Sequence, residues 1–163
     1  LDKLGVLFER YKTRLFRYFY LHTGDQPVSE DLVQSVFMRI IRFRERFEPT
    51  GEFRSWMFTI AYHAKVDHFR GNKYASRCDT IGENDVITGL TAEDEMIRRE
   101  NVSRLEEALR RLRDDYREVL ILSRYEGLKY DEIGDMIGCS QGAVKVRIHR
   151  AIHELREIFD GLE

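Results

Sequence analysis

"YDEIGDMIGCSQGAVKVRIHRAIHEL" occupies residues 130–155 and decides how the rest of the chain is read. Ile133, Met136 and Ile137 set one apolar helical pattern. Val144, Ile148, Ala151, Ile152 and Leu155 set a second, at spacings of three and four. Gly138-Cys139-Ser140 breaks the two apart. Glycine reaches the left-handed conformation that lets one helix stop and the next leave steeply. Ser140 is a natural N-cap for the second helix, and Cys139 a small thiol expected to be buried at the turn.

Counted from Tyr130, this stretch satisfies the demands of a helix-turn-helix. The fifth residue, Gly134, is small where the helices must cross closely. The ninth, Gly138, stands at the turn, and the fifteenth, Val144, is a branched apolar plug for the angle between them. The outward face of the second helix carries Gln141, Lys145 and His149 in one stripe. Gly142, Val146 and Arg150 lie beside it, and Arg147 at the margin. From Ser140 to Arg156 four basic side chains face one acidic one. A helix of this kind fits a major groove, where Lys or Arg reaches guanine O6 and N7 and an apolar Val touches a thymine methyl. The plain alternative is a solvated basic face on an ordinary helical pair.

Composition sets the outer bounds. A chain of 163 residues, 42% hydrophobic with 10 Phe and 8 Tyr, can bury real cores. Only two prolines and few spaced turn signals argue against a β-rich fold. No run of 18 apolar residues occurs and no leader pattern stands at the start, so the expectation is a cytoplasmic chain without membrane insertion. Cys78 and Cys139 are too isolated for a disulfide framework or zinc cluster. His149 and His153 are four apart but lack further ligands, so neither metal nor cofactor is expected. The net charge of −2 is unevenly spread: residues 1–74 carry 13 basic against 9 acidic side chains. Binding to nucleic acid depends on the local field facing the phosphates, and so modest a balance predicts weak binding to DNA without another protein.

The fold class expected is all-α: two small helical domains joined by a flexible linker, the C-terminal one containing the helix-turn-helix. Leu4, Leu7, Phe8, Tyr11, Leu15, Tyr18 and Phe19 mark a first amphipathic helix, ended by His22-Thr23-Gly24-Asp25. Ser29 is read as the cap of a second, with Glu30 and Asp31 in its first turn. Its stripe is Leu32/Val33, Val36/Phe37 and Ile40/Ile41. After the loop Glu48-Pro49-Thr50-Gly51 a third helix turns Phe53, Trp56, Met57, Ile60, Ala61 and Ala64 inward. "NKYASRCDTIGENDVITGLT" (72–91) loses periodicity and collects linker residues, which divides the chain into a domain at 1–73, a linker at 74–92 and a domain at 93–163. Thr91 with Asp94 resembles a capping box opening the next helix, whose apolar side is Leu105, Ala108, Leu109 and Leu112.

The third helix carries a second chemical signal. "FEPTGEFRSWMFTIAYHAKVDHFRGNK" places Arg54, Tyr62, His63, Lys65, His68, Arg70 and Lys73 on or beside one helix. Rings interleaved with cations suit single-stranded DNA: rings stack on unpaired bases and cations follow phosphates. Core packing is the competing reading, and by spacing it fits Trp56 best.

"EDLVQSVFMRIIRF", "FRSWMFTIAYHAKVDHFR" and "YREVLILSRYEGLKYDEIGDMIGCSQGAVKVRIHRAIHELR", in that order, resemble the signatures of bacterial extracytoplasmic-function (ECF, group IV) RNA polymerase sigma factors. The resemblance spans about Leu4 to Phe159. It implies a promoter-specificity subunit without enzymatic activity. Such a subunit binds core RNA polymerase, recognises −35 and −10 promoter elements and helps open DNA for initiation. By similarity, Asp31, Gln34, Ser35 and Met38 dock the clamp helices of the largest polymerase subunit. The loop from Phe47 to Phe53, with Thr50, Arg54, Tyr62, His63, Lys65, Arg70 and Lys73, holds the −10 element. Ser140, Gln141, Gly142, Lys145, Val146, Arg147, His149 and Arg150 read the −35 element. Partners implied are core polymerase, including the flap of its second-largest subunit, promoter DNA and an anti-sigma factor. This chain departs from the family at Tyr62-His63, where Arg-Asn is common, at Ser35 for Glu, at Lys129 for Ser or Thr, and at Val146 for Ser. A stand-alone regulator with a sensing or dimerising N-terminal domain is the competing class. An enzyme is disfavoured because no nucleophile–base pair or phosphate-binding glycine loop can be assembled.

Overall fold

A computed structural model describes residues 2–71 and 92–162 of the chain. Among them every regular element is helical: α1 (Asp2–Thr23), α2 (Gln26–Phe43), α3 (Phe53–Gly71), α4 (Ala92–Arg111), α5 (Asp114–Leu120), α6 (Tyr130–Ile137) and α7 (Gln141–Asp160). The chain divides into two compact units, one centred on the helices before residue 72 and the other on those after residue 91. The proposed linker at 74–92 and the Thr91 cap lie almost wholly or wholly outside the described residues.

The N-terminal unit is built on the aromatic stripe of α1. Leu15, Tyr18, Phe19 and Leu21 are buried. Gly24 then takes φ 65° and its amide donates to the Tyr20 carbonyl at 2.9 Å, ending the helix. The cap of α2 is Asp25, not Ser29. The Asp25 carboxylate accepts from the Val28 amide at 3.0 Å, and Pro27 sits in the first turn, where its missing amide costs nothing. Ser29 is fully buried instead. Its hydroxyl donates to the Asp25 carbonyl at 2.6 Å and lies 2.9 Å from the Thr23 hydroxyl, so it locks the α1–α2 corner. Glu30 and Asp31 consequently stand beyond the first turn.

Leu32, Val33, Val36, Phe37 and Ile40 of α2 are buried as their spacing requires, whereas Ile41 is 37% exposed. From α3 the core receives Met57, Phe58, Ala61 and Ala64. Phe58 meets Tyr18 edge-on with centroids 5.6 Å apart. Phe53, Trp56 and Ile60, expected inside, are only half-buried. An exposed Arg39–Asp67 pair at 2.9 Å joins α2 to α3; such pairs contribute about 0–1 kcal/mol.

In the C-terminal unit the buried Arg117 organises the start. Its guanidinium donates to the carbonyls of Leu109 (2.7 Å), Arg110 (2.6 Å) and Leu112 (2.7 Å) and pairs with Asp114 (2.8 Å). The last carbonyls of a helix have no partners within it; this one cation takes up those of Leu109 and Arg110, with that of Leu112 just beyond, and ties the end of α4 to the start of α5. Val119, Leu120, Ile121 and Leu122 are all buried. The helix widens into a π turn over Ile121–Tyr125, with the Glu126 amide reaching the Ile121 carbonyl at 3.1 Å. Gly127, at φ 65°, stops it.

The helix-turn-helix forms as its glycines require. Glu132 accepts from the Lys129 amide at 2.9 Å, the one half of a capping box that remains at the start of α6 when Lys129, which has no acceptor, stands at the cap. Gly138 takes φ 82°. A Cβ on Gly134 would stand 2.5 Å from the Cys139 carbonyl oxygen, so only glycine permits this crossing. Ser140 caps α7 by accepting from the Ala143 amide at 3.1 Å. Cys139 is half-exposed, not buried. Val144, Ile148 and Ala151 are buried, and α7 packs on α5 and α4. At its far end Arg104 lies 4.4 Å from the Phe159 ring centroid and donates to that residue's carbonyl at 3.2 Å.

Gly134→Ala is expected to destabilise the C-terminal unit by about 2 kcal/mol or more, because backbone must shift, and urea unfolding measures this. Hydrogen bonds from Arg110 and Arg111 hold the Glu107 carboxyl below its ordinary 4.5. Its contribution is present above that value and lost as pH falls through the lower folded one. Glu107 is 39% exposed, so Glu107→Gln should cost only about 0.3–0.5 kcal/mol at pH 7, and the difference should fade as pH falls through the lowered folded-state value.

Candidate nucleic-acid interface

Burying Val144, Ile148 and Ala151 on one side of α7 fixes what the other side presents. Gln141, Gly142, Lys145, Val146, His149 and Arg150 are exposed, and Arg147 is half-buried at the edge of the stripe. Val146, at 50% exposure, is an apolar side chain held in solvent among cations. Lys145, Arg147 and Arg150 form no ion pair among the described residues. The Ser140 hydroxyl is engaged as a cap but retains its own proton to donate. The cationic face has a limit. An open groove of about 520 Å³ runs beside Tyr116, His149 and Arg150 to His153, Glu154 and Glu157, where the charge turns acidic. His153 Nδ1 lies 3.6 Å from Glu157. No group of three or more residues able to hold a metal occurs among the described residues.

A second set gathers around the start of α3. The Gly51 amide donates to the Glu48 carbonyl at 2.9 Å, closing a turn with Thr50 exposed at its tip. Behind it, four rings that are each half-buried pack together. Phe47 is 5.7 Å from Phe53 and 5.3 Å from Trp56, and Phe53 is 5.6 Å from Tyr11. The sequence assigned Trp56 to the core; it braces this loop instead. Rings at 47, 53 and 56 around a Pro-Thr-Gly turn were the available signal. Arg54 is half-buried with its Nε lacking a hydrogen-bond partner among the described residues.

Further along α3, Tyr62 is half-buried, with its ring 5.6 Å from that of His63, and His63 and Arg70 are exposed. Lys73 lies outside the described residues. Lys65 departs from the expected phosphate-following cation. It is only 7% exposed, with Nζ 5.9 Å from the Tyr18 ring centroid and 5.3 Å from that of Tyr62. The reason is its position on the turn that also carries Ala61 and Ala64 into the core.

A third surface lies on α2. Asp31, Gln34 and Met38 are exposed and Ser35 half-buried, forming one face at helical spacing. Met38 is 66% exposed, and Ile41 continues the stripe three residues on. That continuation was legible in the spacing but had been given to the core. No helix among the described residues is long and apolar enough to cross a membrane.

Two helical units, one ending in a helix-turn-helix with unpaired outward cations, define a class of DNA-binding protein. Comparison with known proteins narrows it. The family model "Sigma-70 region 2" matches residues 7–74, and "Sigma-70, region 4" matches residues 103–155. The RNA polymerase sigma factor CarQ of Myxococcus xanthus is 36% identical over 99% of this chain and 92% of its own length. The ECF sigma factor SigW of Bacillus subtilis is 27% identical over 96% and 88%. Among solved structures, RpoE of Bartonella quintana, in complex with the anti-sigma factor NepR, superposes with a TM-score of 0.77 at 21% identity over all of both chains. CnrH, in complex with the cytosolic domain of CnrY, does so with a TM-score of 0.69 at 24% identity, over 98% of this chain and 89% of its own. These likenesses support the fold.

The chain belongs to the extracytoplasmic-function RNA polymerase sigma factors. Its role is accordingly in promoter recognition and transcription initiation, as its relatives are regulatory subunits of the polymerase.

Proposed function

We propose that this chain divides promoter work between its two units. The unit at about 93–163 reads the −35 element as intact duplex through Ser140, Gln141, Gly142, Lys145, Val146, Arg147, His149 and Arg150. The unit at about 1–73 engages the −10 element as separated strands. There Thr50, Arg54, Tyr62, His63 and Arg70 contact DNA, and Lys73 is expected to join them. Asp31, Gln34, Ser35 and Met38, extended by Ile41, dock the clamp helices of the largest polymerase subunit. The flap of the second-largest subunit carries the −35 reader.

One observation supports this most: a helix whose apolar side is sealed by Val144 and Ile148 and whose free side offers unpaired cations around an exposed valine. Lys or Arg hydrogen-bonds guanine in the major groove, and a valine methyl favours thymine over cytosine. At the other unit, an exposed turn braced by rings, and Tyr62 further along α3, offer stacking surface for unpaired bases. Turning a base out of the stack costs a few kcal/mol, which contacts to polymerase help offset. Holding by an anti-sigma protein is part of the same proposal. RpoE and CnrH were each solved with a partner of their own, and the exposed Met38–Ile41 stripe is a surface such a partner would cover.

Run-off transcription with purified core polymerase on a promoter library tests the reading. Start sites are expected only when the chain is present. Arg150→Ala should weaken −35 recognition by about 1–3 kcal/mol and relax base preference there. Tyr62→Ala should leave polymerase binding intact and slow strand opening, followed by permanganate reactivity of the −10 thymines. Equal loss of both properties in each variant contradicts the division.

A further inference from the structure

The notable charge of the N-terminal unit is one that solvent barely reaches. We propose that Lys65 is a positioning residue for Tyr62: its ammonium holds the tyrosine ring in the orientation that receives an unpaired base, so Lys65 sets −10 engagement without touching DNA. This inference rests on the reading of Tyr62 as a −10 contact.

Lys65 Nζ lies 5.9 Å from the centroid of Tyr18 and 5.3 Å from that of Tyr62. A cation over the face of an aromatic ring is attracted by the ring's quadrupole, and more strongly when both are withdrawn from water. The two rings differ in freedom. Tyr18 is fully buried and fixed on several sides: Phe19 at 5.2 Å, His22 at 5.0 Å and Phe58 at 5.6 Å, each edge-on. Tyr62 is half-exposed, and the ring contact found for it besides Lys65 is the exposed His63. The ammonium therefore joins a fully buried, closely packed ring to a half-exposed one with fewer ring contacts. Tyrosine turns on only two side-chain torsions, so one such tether restricts it substantially. A ring already oriented loses less freedom when a base stacks on it. Burial also rules Lys65 out as a free counter-charge. At 7% exposure its head cannot follow a phosphate without leaving the core.

The test uses holoenzyme assembled from the full chain and core polymerase, on a promoter chosen by run-off transcription. That promoter is prepared fully paired and with a preformed mismatch bubble across the −10 element. Opening of the paired form is followed by 2-aminopurine fluorescence, and affinity for the bubble form is measured across a salt series. Lys65→Met, which keeps the volume, is expected to slow opening about 5–20-fold, with the affinity-versus-salt slope unchanged. In a Tyr62→Ala background the same substitution should add less than about twofold, because the ring it positions is gone. Lys65→Arg retains a cation for both rings and should stay within about threefold of the wild type. The inference is overturned by no slowing in Lys65→Met, by Lys65→Arg as slow as Lys65→Met, or by full additivity with Tyr62→Ala. A salt slope reduced by about 0.7 assigns Lys65 to a phosphate instead and also overturns it. If Tyr62→Ala opens the promoter normally, the −10 reading itself fails. Failure of Lys65→Met alone leaves that reading standing.

Discussion

A missing side chain governs the DNA-reading half of this protein. At Gly134 a single added carbon would fall 2.5 Å from the Cys139 carbonyl oxygen, closer than van der Waals contact allows. The absence of that carbon lets the Cys139–Ser140 turn fold tightly back on α6, and α7 then leaves with Val144 buried against its own unit. Once Val144 and Ile148 are inside, helical periodicity leaves no freedom about what faces outward: Gln141, Lys145, Val146, His149 and Arg150 must be in solvent. Recognition chemistry here follows from packing chemistry. Arg117 supports the same arrangement, since the carbonyls of Leu109 and Arg110 in α4 and of Leu112 just past it accept from it, and α5 carries its apolar run against α7.

Electrostatics explains why two units serve better than one. The whole chain carries −2, and the cations on the outer face of α7 are few before the surface turns acidic at Glu154 and Glu157. Each phosphate contact steepens the salt dependence of affinity, and high-affinity binding to duplex alone takes several. A reader with this few is selective when held in place and weak when free. On the proposed reading the N-terminal unit has the complementary limitation: its rings would hold bases only after a costly separation of strands. Both units therefore gain from a scaffold, and an α2 face with Met38 and Ile41 exposed fits docking on one.

Where local geometry is dictated by one residue type, the sequence was readable. Gly24 and Gly138 adopt positive φ at the helix ends where they were expected, and Ser140 caps α7. Misreadings occurred where two residues compete for one role. Ser29 and Asp25 both suit a cap; Pro27 favours the earlier start, and Ser29 is then drawn inside. Trp56 and Ile41 have the spacing of core residues, but a three-helix unit has too few neighbours to cover them. Lys65 is the deepest miss, because charge alone suggests a surface and only the position of Tyr18 shows why a lysine is tolerated within. The π turn at Ile121–Tyr125 has no pattern by which it could have been foreseen. The family resemblance supplied the assignment of polymerase and promoter elements, which spacing alone cannot give.

The division of duplex and single-strand recognition between two units, made effective by core polymerase, is tested most directly by footprinting one promoter with three samples: the free chain, core polymerase, and both together. Protection of the −35 region and permanganate reactivity at −10 should appear together only with both. Saturating protection by the free chain at nanomolar concentration, with no change in start site when polymerase is added, would contradict it.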